Sequence, residues 1–125
     1  MGRIFKNVNI AGAIGGYKKF TALFDTGAKD NYIREEFFNG TTLFDLGIIE
    51  YREPELRLMA NGSLDSCQKI KLKSLKIPIG LKKKVIIEPE FLILKDASHD
   101  VIIGAKTMQK LKISLYPTIK EINFN

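Results

Sequence analysis

Phe24-Asp25-Thr26-Gly27-Ala28 puts an acid on a turn directly behind the apolar run Phe20 to Phe24, which reads as a buried strand. Asp and Gly are both common turn formers, so the triplet alone fits a solvated turn as well as a placed carboxylate. Far along the chain, Asp100-Val101-Ile102-Ile103-Gly104 brings two buried-type residues to a glycine just before a helix-like segment. Between and around these two elements the pattern is one of short strands. Ile4 to Ile10 alternates weakly, Ala11 to Gly16 is a glycine-rich turn, and Tyr17 to Phe24 returns as a second strand, so a hairpin delivers Asp25 to a loop. The glycines of that turn spell neither phosphate-binding fingerprint.

Tyr32 to Phe38 reads as a strand end or a helical turn, closed by Asn39-Gly40, and Leu43 to Ile49 is apolar without a clear period. Glu55 to Met59 and Leu64 to Lys73 flank Ala60-Asn61-Gly62-Ser63, and Asn-Gly between two strand-like runs predicts a hairpin. Leu75 to Ile79 and Val85 to Leu94 predict another around Gly80, with Lys82-Lys83-Lys84 at its tip and Pro78 and Pro89 at edges or bulges. Ala105 to Leu111 is the best helix candidate, and Ile113 to Tyr116 and Ile119 to Phe124 read as terminal strands around Pro117. Many short strands with one late helix predict an all-β, closed barrel-like domain. Asn39-Gly40-Thr41 and Asn61-Gly62-Ser63 match the glycosylation sequon and are read as turn chemistry.

The chain has 125 residues, 45% of them hydrophobic, which suits one domain spanning 1–125. No apolar run approaches the ~18 residues of a membrane helix, and the N-terminus has no signal-peptide core, so a soluble, cytoplasmic protein is expected. Met1-Gly2 opens like a myristoylation signal, but Lys6 stands where Ser or Thr is required. A single cysteine, Cys67, and a single histidine, His99, exclude an internal disulfide and make a poor thiol hydrolase or zinc set. No metal or cofactor is expected. The formal net charge of +6 invites a nucleic-acid partner. Its distribution argues against one: Lys69, Lys71 and Lys73 alternate with Ile70 and Leu72, as on a half-exposed strand, and no aromatic binding stripe or nucleic-acid motif accompanies them.

Asp25-Thr26-Gly27-Ala28 followed by Ile102-Ile103-Gly104 and a helix resembles the retropepsin-like aspartic proteases. The resemblance runs through most of the chain in order, and Arg57 to Ser63 and Phe91 to Asp96 look more like cellular and retroelement members than viral ones. It implies an all-β acid-protease fold assembled as a homodimer, with Asp25 the catalytic acid of each protomer. By the same resemblance Thr26 would bond across the dimer axis and Gly27 would bring backbone near the carboxylate and substrate. Ala28 would keep the pocket wall small, Ala60, Asn61, Gly62 and Ser63 would form a flap tip over an extended peptide, and Ile102 and Ile103 would pack beneath the catalytic loop and border the substrate. Gly104 would permit close passage of the chain. Terminal segments around Ile4 and Ile119 to Phe124 are the interface candidates the resemblance suggests.

Viral members place an acid after the Ala and an Arg after the later Gly, and these pair; here the positions hold Lys29 and Ala105. Losing one partner of a buried pair would cost about 3 to 5 kcal/mol, and losing both avoids that penalty. Asp30 remains to face a substrate subsite. A chain this short has no room for a second acid-bearing lobe, so an aspartic protease built from it needs a second copy. The competing function is a non-catalytic dimeric module of the same shape that binds extended peptides.

Overall fold

A computed structural model describes residues 3–58, 62–116 and 121–124, of which 79, 114–116 and 121–124 are described by backbone only. Strand β1 (Arg3–Ala11) buries Ile4, Val8 and Ile10 and exposes Phe5 and Asn7 between them, the period-two alternation of a strand with one core face. It pairs antiparallel with β2 (Lys18–Asp25), in register from Ile10 opposite Lys18 to Arg3 opposite Asp25. β2 lies inside the sheet, and its run Ala22, Leu23, Phe24 is buried on both faces. That is why it reads as a continuous apolar stretch with no alternation.

After β3 (Tyr32–Ile33) and helix α1 (Leu43–Leu46), β4 (Glu50–Leu58) and β5 (Leu64–Lys71) form the antiparallel hairpin predicted around Asn61-Gly62. Met59, Ala60 and Asn61 themselves lie outside the described residues. β6 (Ser74–Ile79), β7 (Lys82–Ile87), β8 (Glu90–Ile93), β9 (Val101–Ile103), helix α2 (Ala105–Leu111) and strands β10 (Ile113–Tyr116) and β11 (Glu121–Phe124) complete the chain. The helix matches the segment expected from sequence. Among the described residues no helix is long and apolar enough to cross a membrane.

Nine strands make one mixed sheet in the order β4-β5-β8-β3-β9-β2-β1-β6-β7, and β10 and β11 pair separately. The sheet is open, which differs from the closed barrel expected. Closure would need β4 to pair with β7, and among the described strands each ends the sheet. Both edges are poorly suited to further pairing: β4 carries Glu50, Arg52, Glu53, Glu55 and Arg57 and has a register break between Arg52 and Glu55, where Pro54 offers no N–H. β7 carries Lys82, Lys83 and Lys84.

Those lysines are in a strand and not at a hairpin tip. The turn is only Gly80-Leu81, with Gly80 at φ 58°, so pairing begins at once with Ile79 opposite Lys82. The run predicted as one strand from Val85 to Leu94 breaks at Glu88, whose φ is 52°, and Pro89; β8 then leaves for the sheet interior, between β5 and β3. A second helix, α1, falls in the apolar stretch from Leu43 to Ile49 that has no clear period in the sequence. It starts where the Thr42 N–H donates to Asp45 Oδ2 at 2.7 Å, and it buries Leu43 and Leu46 on the core. One hydrophobic cluster underlies all of this, drawing Ile10, Phe24, Leu75, Phe91 and Ile103 from different strands and Met108 from α2.

Candidate active site

β2 ends at Asp25 and the chain turns at once. The Ala28 N–H donates to the Asp25 carbonyl at 3.1 Å, and the Gly27 N–H donates to Asp25 Oδ1 at 2.9 Å, so the side chain is tethered by its own turn. Its other oxygen, Oδ2, lies 3.6 Å from Nε of Arg3, the residue opposite it on β1. The Asp25 side chain keeps 19% exposure, so solvent still reaches a carboxylate tethered at one oxygen and approached at the other by Arg3.

The loop that follows is anchored from below. β9 runs parallel to β2 with Ile102 beside Leu23 and Ile103 beside Phe24. Ile103 is fully buried and supports the strand end from the core, whereas Ile102 is half-buried; of these two isoleucines, both expected to border the substrate, Ile102 alone keeps surface to present. Past Gly104 the chain enters α2, and the first two N–H groups of that helix donate to the acid loop: Ala105 to the Ala28 carbonyl at 2.7 Å and Lys106 to the Lys29 carbonyl at 3.1 Å. Loop carbonyls thus satisfy donors that a helix start leaves open.

Asn31 was missed by the sequence reading. Its side chain is buried, its Oδ1 accepts the Gly104 N–H at 3.0 Å, and its Nδ2 donates to the Glu90 carbonyl at 3.3 Å. The available signal was an amide, with donor and acceptor together, at the end of a polar loop and directly before a strand. Of the remaining candidates, Ala28 is half-buried beside the turn, and Gly62, with φ 86°, and Ser63 are exposed on the β5 side of the hairpin end. Ala60 and Asn61 fall outside the described residues. Leu56, Leu58 and Leu64 on the hairpin arms are 68–73% exposed, an apolar surface that the chain's own core does not cover.

Asp30 has cation partners. It is ion-paired with Arg57 of β4, and its Oδ1 lies 3.4 Å from Nζ of Lys106. Arg57 in turn approaches Glu55 at 3.4 Å, Glu55 bonds Lys69 at 2.6 Å, and Lys69 reaches Glu90 at 3.1 Å. The lysines expected to share a bare strand face are therefore neutralised in part by acids from β4 and β8, which further weakens the nucleic-acid reading. The hydrogen bond from Lys69 holds the Glu55 carboxyl below its ordinary 4.5, helped by the charges of Lys106 and Lys29, and the same bond raises Lys69.

A group whose folded pKa is depressed contributes stability that is complete above its unfolded value and is lost as pH falls through the folded one. Glu55 and Lys69 are partly solvated, so the pair is worth about 1 kcal/mol or less. Urea midpoints followed downward from about pH 6 should fall below pH 4.5, and Lys69→Met should flatten that fall. An identical acid limb in the variant would show that Glu55 has no part in it.

Cys67 and His99 do not meet. Cys67 is buried, and burial pushes its thiol up, away from the reactive thiolate. The His99 ring stacks on Phe5 with centroids 5.0 Å apart, and its Nδ1 shares a hydrogen bond with Ser98 Oγ at 2.9 Å. A cavity of about 250 Å³ opens between Asp30, Glu90, Lys106 and Lys110, and another of about 500 Å³ lies between Phe44, Tyr51, Cys67 and Leu94. Neither is lined by Asp25.

No family model matches the chain, and no curated protein matches it. Among solved structures it is similar to a retropepsin-like aspartic protease from Rickettsia conorii, with 18% sequence identity, covering 90% of this chain and 89% of that one, at a TM-score of 0.49. A likeness this distant assigns no residue a role, and the chemistry rests on the chain's own groups.

Proposed function

We propose that the chain is an aspartic endopeptidase acting as a homodimer, each protomer supplying one Asp25. The observation that carries this reading is the tethered, partly exposed Asp25 carboxylate on the Asp25-Thr26-Gly27 turn, stitched from beneath to Gly104 and the start of α2. Such a mounting holds an acid still at the surface, which a solvated turn residue does not need. One carboxylate cannot both activate water and supply a proton, and neither described cavity encloses Asp25. A second copy meets both needs.

Two carboxylates held close cannot easily both ionise, so the pair shares a proton and titrates as a unit. The charged member takes a proton from water as that water attacks the peptide carbonyl. The neutral member polarises the carbonyl and then protonates the leaving nitrogen. Arg3 lies beside each Asp25, but its side chain is 57% exposed and solvent screens the pair. The like-charge repulsion between two adjoining carboxylates is the stronger effect. Thr26 and Gly27 shape the turn at the protomer contact. The β4–β5 hairpin, with Gly62 and Ser63 near its end and exposed leucines on its arms, is the flap that closes over an extended peptide and excludes water.

Purified protein incubated with an unstructured polypeptide should cleave it with an optimum on the acidic side of neutrality. A transition-state-mimicking aspartic protease inhibitor should abolish that cleavage. Binding without cleavage at any pH would assign the chain to the peptide-binding alternative. Sedimentation should show dimers at concentrations that support full activity, and monomers alone at those concentrations would refute the shared dyad.

A further inference from the structure

Three elements bring cations to one place beside the acid loop. Lys29 and Asp30 belong to the loop that starts at Asp25, Arg57 comes from β4 on the way to the hairpin end, and Lys106 stands in the first turn of α2. The sheltered group at their centre is Asp30, whose side chain is 16% exposed, with Arg57 at 19% and Lys106 reaching in from solvent. The Asp30 carboxylate therefore faces two positive charges, with the exposed Lys29 next to it in the chain. Glu55 also approaches Arg57, but its shorter bond is the 2.6 Å contact to Lys69. Lys29 has no acidic partner among the described residues, and its charge still reaches far enough to act on Glu55.

Arginine and lysine only donate hydrogen bonds, so a surplus of them recognises acceptors, and a carboxylate is the strongest acceptor a peptide side chain offers. Asp30 adds preorganisation. It already holds Arg57 and Lys106 in place, which lowers the rotamer entropy a ligand must remove from two long side chains. Donors remain on both: among the described residues Arg57 Nε and Nη2 are buried without a hydrogen-bond partner, and the exposed Lys106 ammonium carries three N–H groups.

We infer that Lys29, Arg57 and Lys106 around Asp30 form a subsite for an acidic side chain of the peptide, so that the preferred substrates carry Asp or Glu close to the scissile bond. This rests on the endopeptidase reading. In a two-fold dimer the subsite occurs twice, which places preferred acids on either side of the bond.

The test begins with an unstructured polypeptide whose cleavage sites are mapped by mass spectrometry, followed by two peptides differing only by Glu or Gln near the cut. The Glu peptide should be favoured in kcat/KM by about fivefold to tenfold at low salt, the size expected of partly solvated ion pairs. The ratio should fall toward one in about 0.5 M NaCl. It should also fall in the Lys29→Gln/Lys106→Gln double variant, whose two positions tolerate a neutral side chain at the surface. Equal rates for the two peptides in the unaltered protein would overturn the subsite, as would a preference undiminished in the double variant. If neither peptide is cut, their binding to the Asp25→Asn protein separates the two claims. A Glu preference there upholds the subsite while removing the protease reading, and equal binding removes the subsite.

Discussion

Asp25→Asn should lower the rate of peptide cleavage by about 10³- to 10⁴-fold or to background, because the substitution deletes general acid and general base from both protomers at once. The fold should survive it. Asn keeps an Oδ1 to accept the Gly27 N–H, and the lost contact with Arg3 is a solvent-screened ion pair worth about 1 kcal/mol or less. The variant should therefore unfold within about 1 kcal/mol of the parent in urea, provided the two are compared at equal protein concentration. Full activity in a purified, contaminant-free variant would remove Asp25 from catalysis. Lost activity with lost folding would leave the acid a structural role, and circular dichroism of the same sample separates these cases.

Gly104→Ala should destabilise the protein by about 3 kcal/mol, the upper range for overpacking at a site that cannot yield. Gly104 has φ −96°, a conformation open to any residue, so its requirement is spatial. A Cβ there would stand 2.3 Å from the Asp30 carbonyl oxygen, 2.7 Å from its carbon and 2.9 Å from the Ala28 oxygen. All three are backbone atoms of the acid loop, and that loop is held by the Ala105, Lys106 and Asn31 hydrogen bonds. The methyl group has to push the loop away from α2, which moves the segment following Asp25 and should reduce cleavage along with stability. Urea unfolding and kcat/KM on the same preparation check both effects. A variant within about 0.5 kcal/mol of the parent would show that loop and helix part easily and that the stitching does not hold the acid.

Residues that interact through their own backbone neighbourhood were legible without coordinates. The apolar run ending at Asp25, the Asn-Gly hairpin and the span of α2 follow from side-chain period and turn chemistry, which act within a few residues. The pattern of Lys69, Lys71 and Lys73 was half legible: the burial of Ile70 and Leu72 followed from alternation, but the acids that meet Lys69 come from β4 and β8. The misreading of Lys82 to Lys84 as a tip has a similar cause. A two-residue turn and a longer loop look alike in a charged stretch until the register of β6 and β7 is known.

Composition and local pattern determined that this chain would be mostly strands, that one acid would stand on a turn behind a buried strand, and that a helix would follow Gly104. Only the packed fold established that Asn31 and Gly104, 73 positions apart, are hydrogen-bonded, that Arg57 and Lys106 converge on Asp30, and that the sheet stays open. Period and turn preference are short-range properties of the backbone, written residue by residue. Which distant side chains become neighbours depends on how strands order themselves around one core, and that ordering is a property of the whole chain.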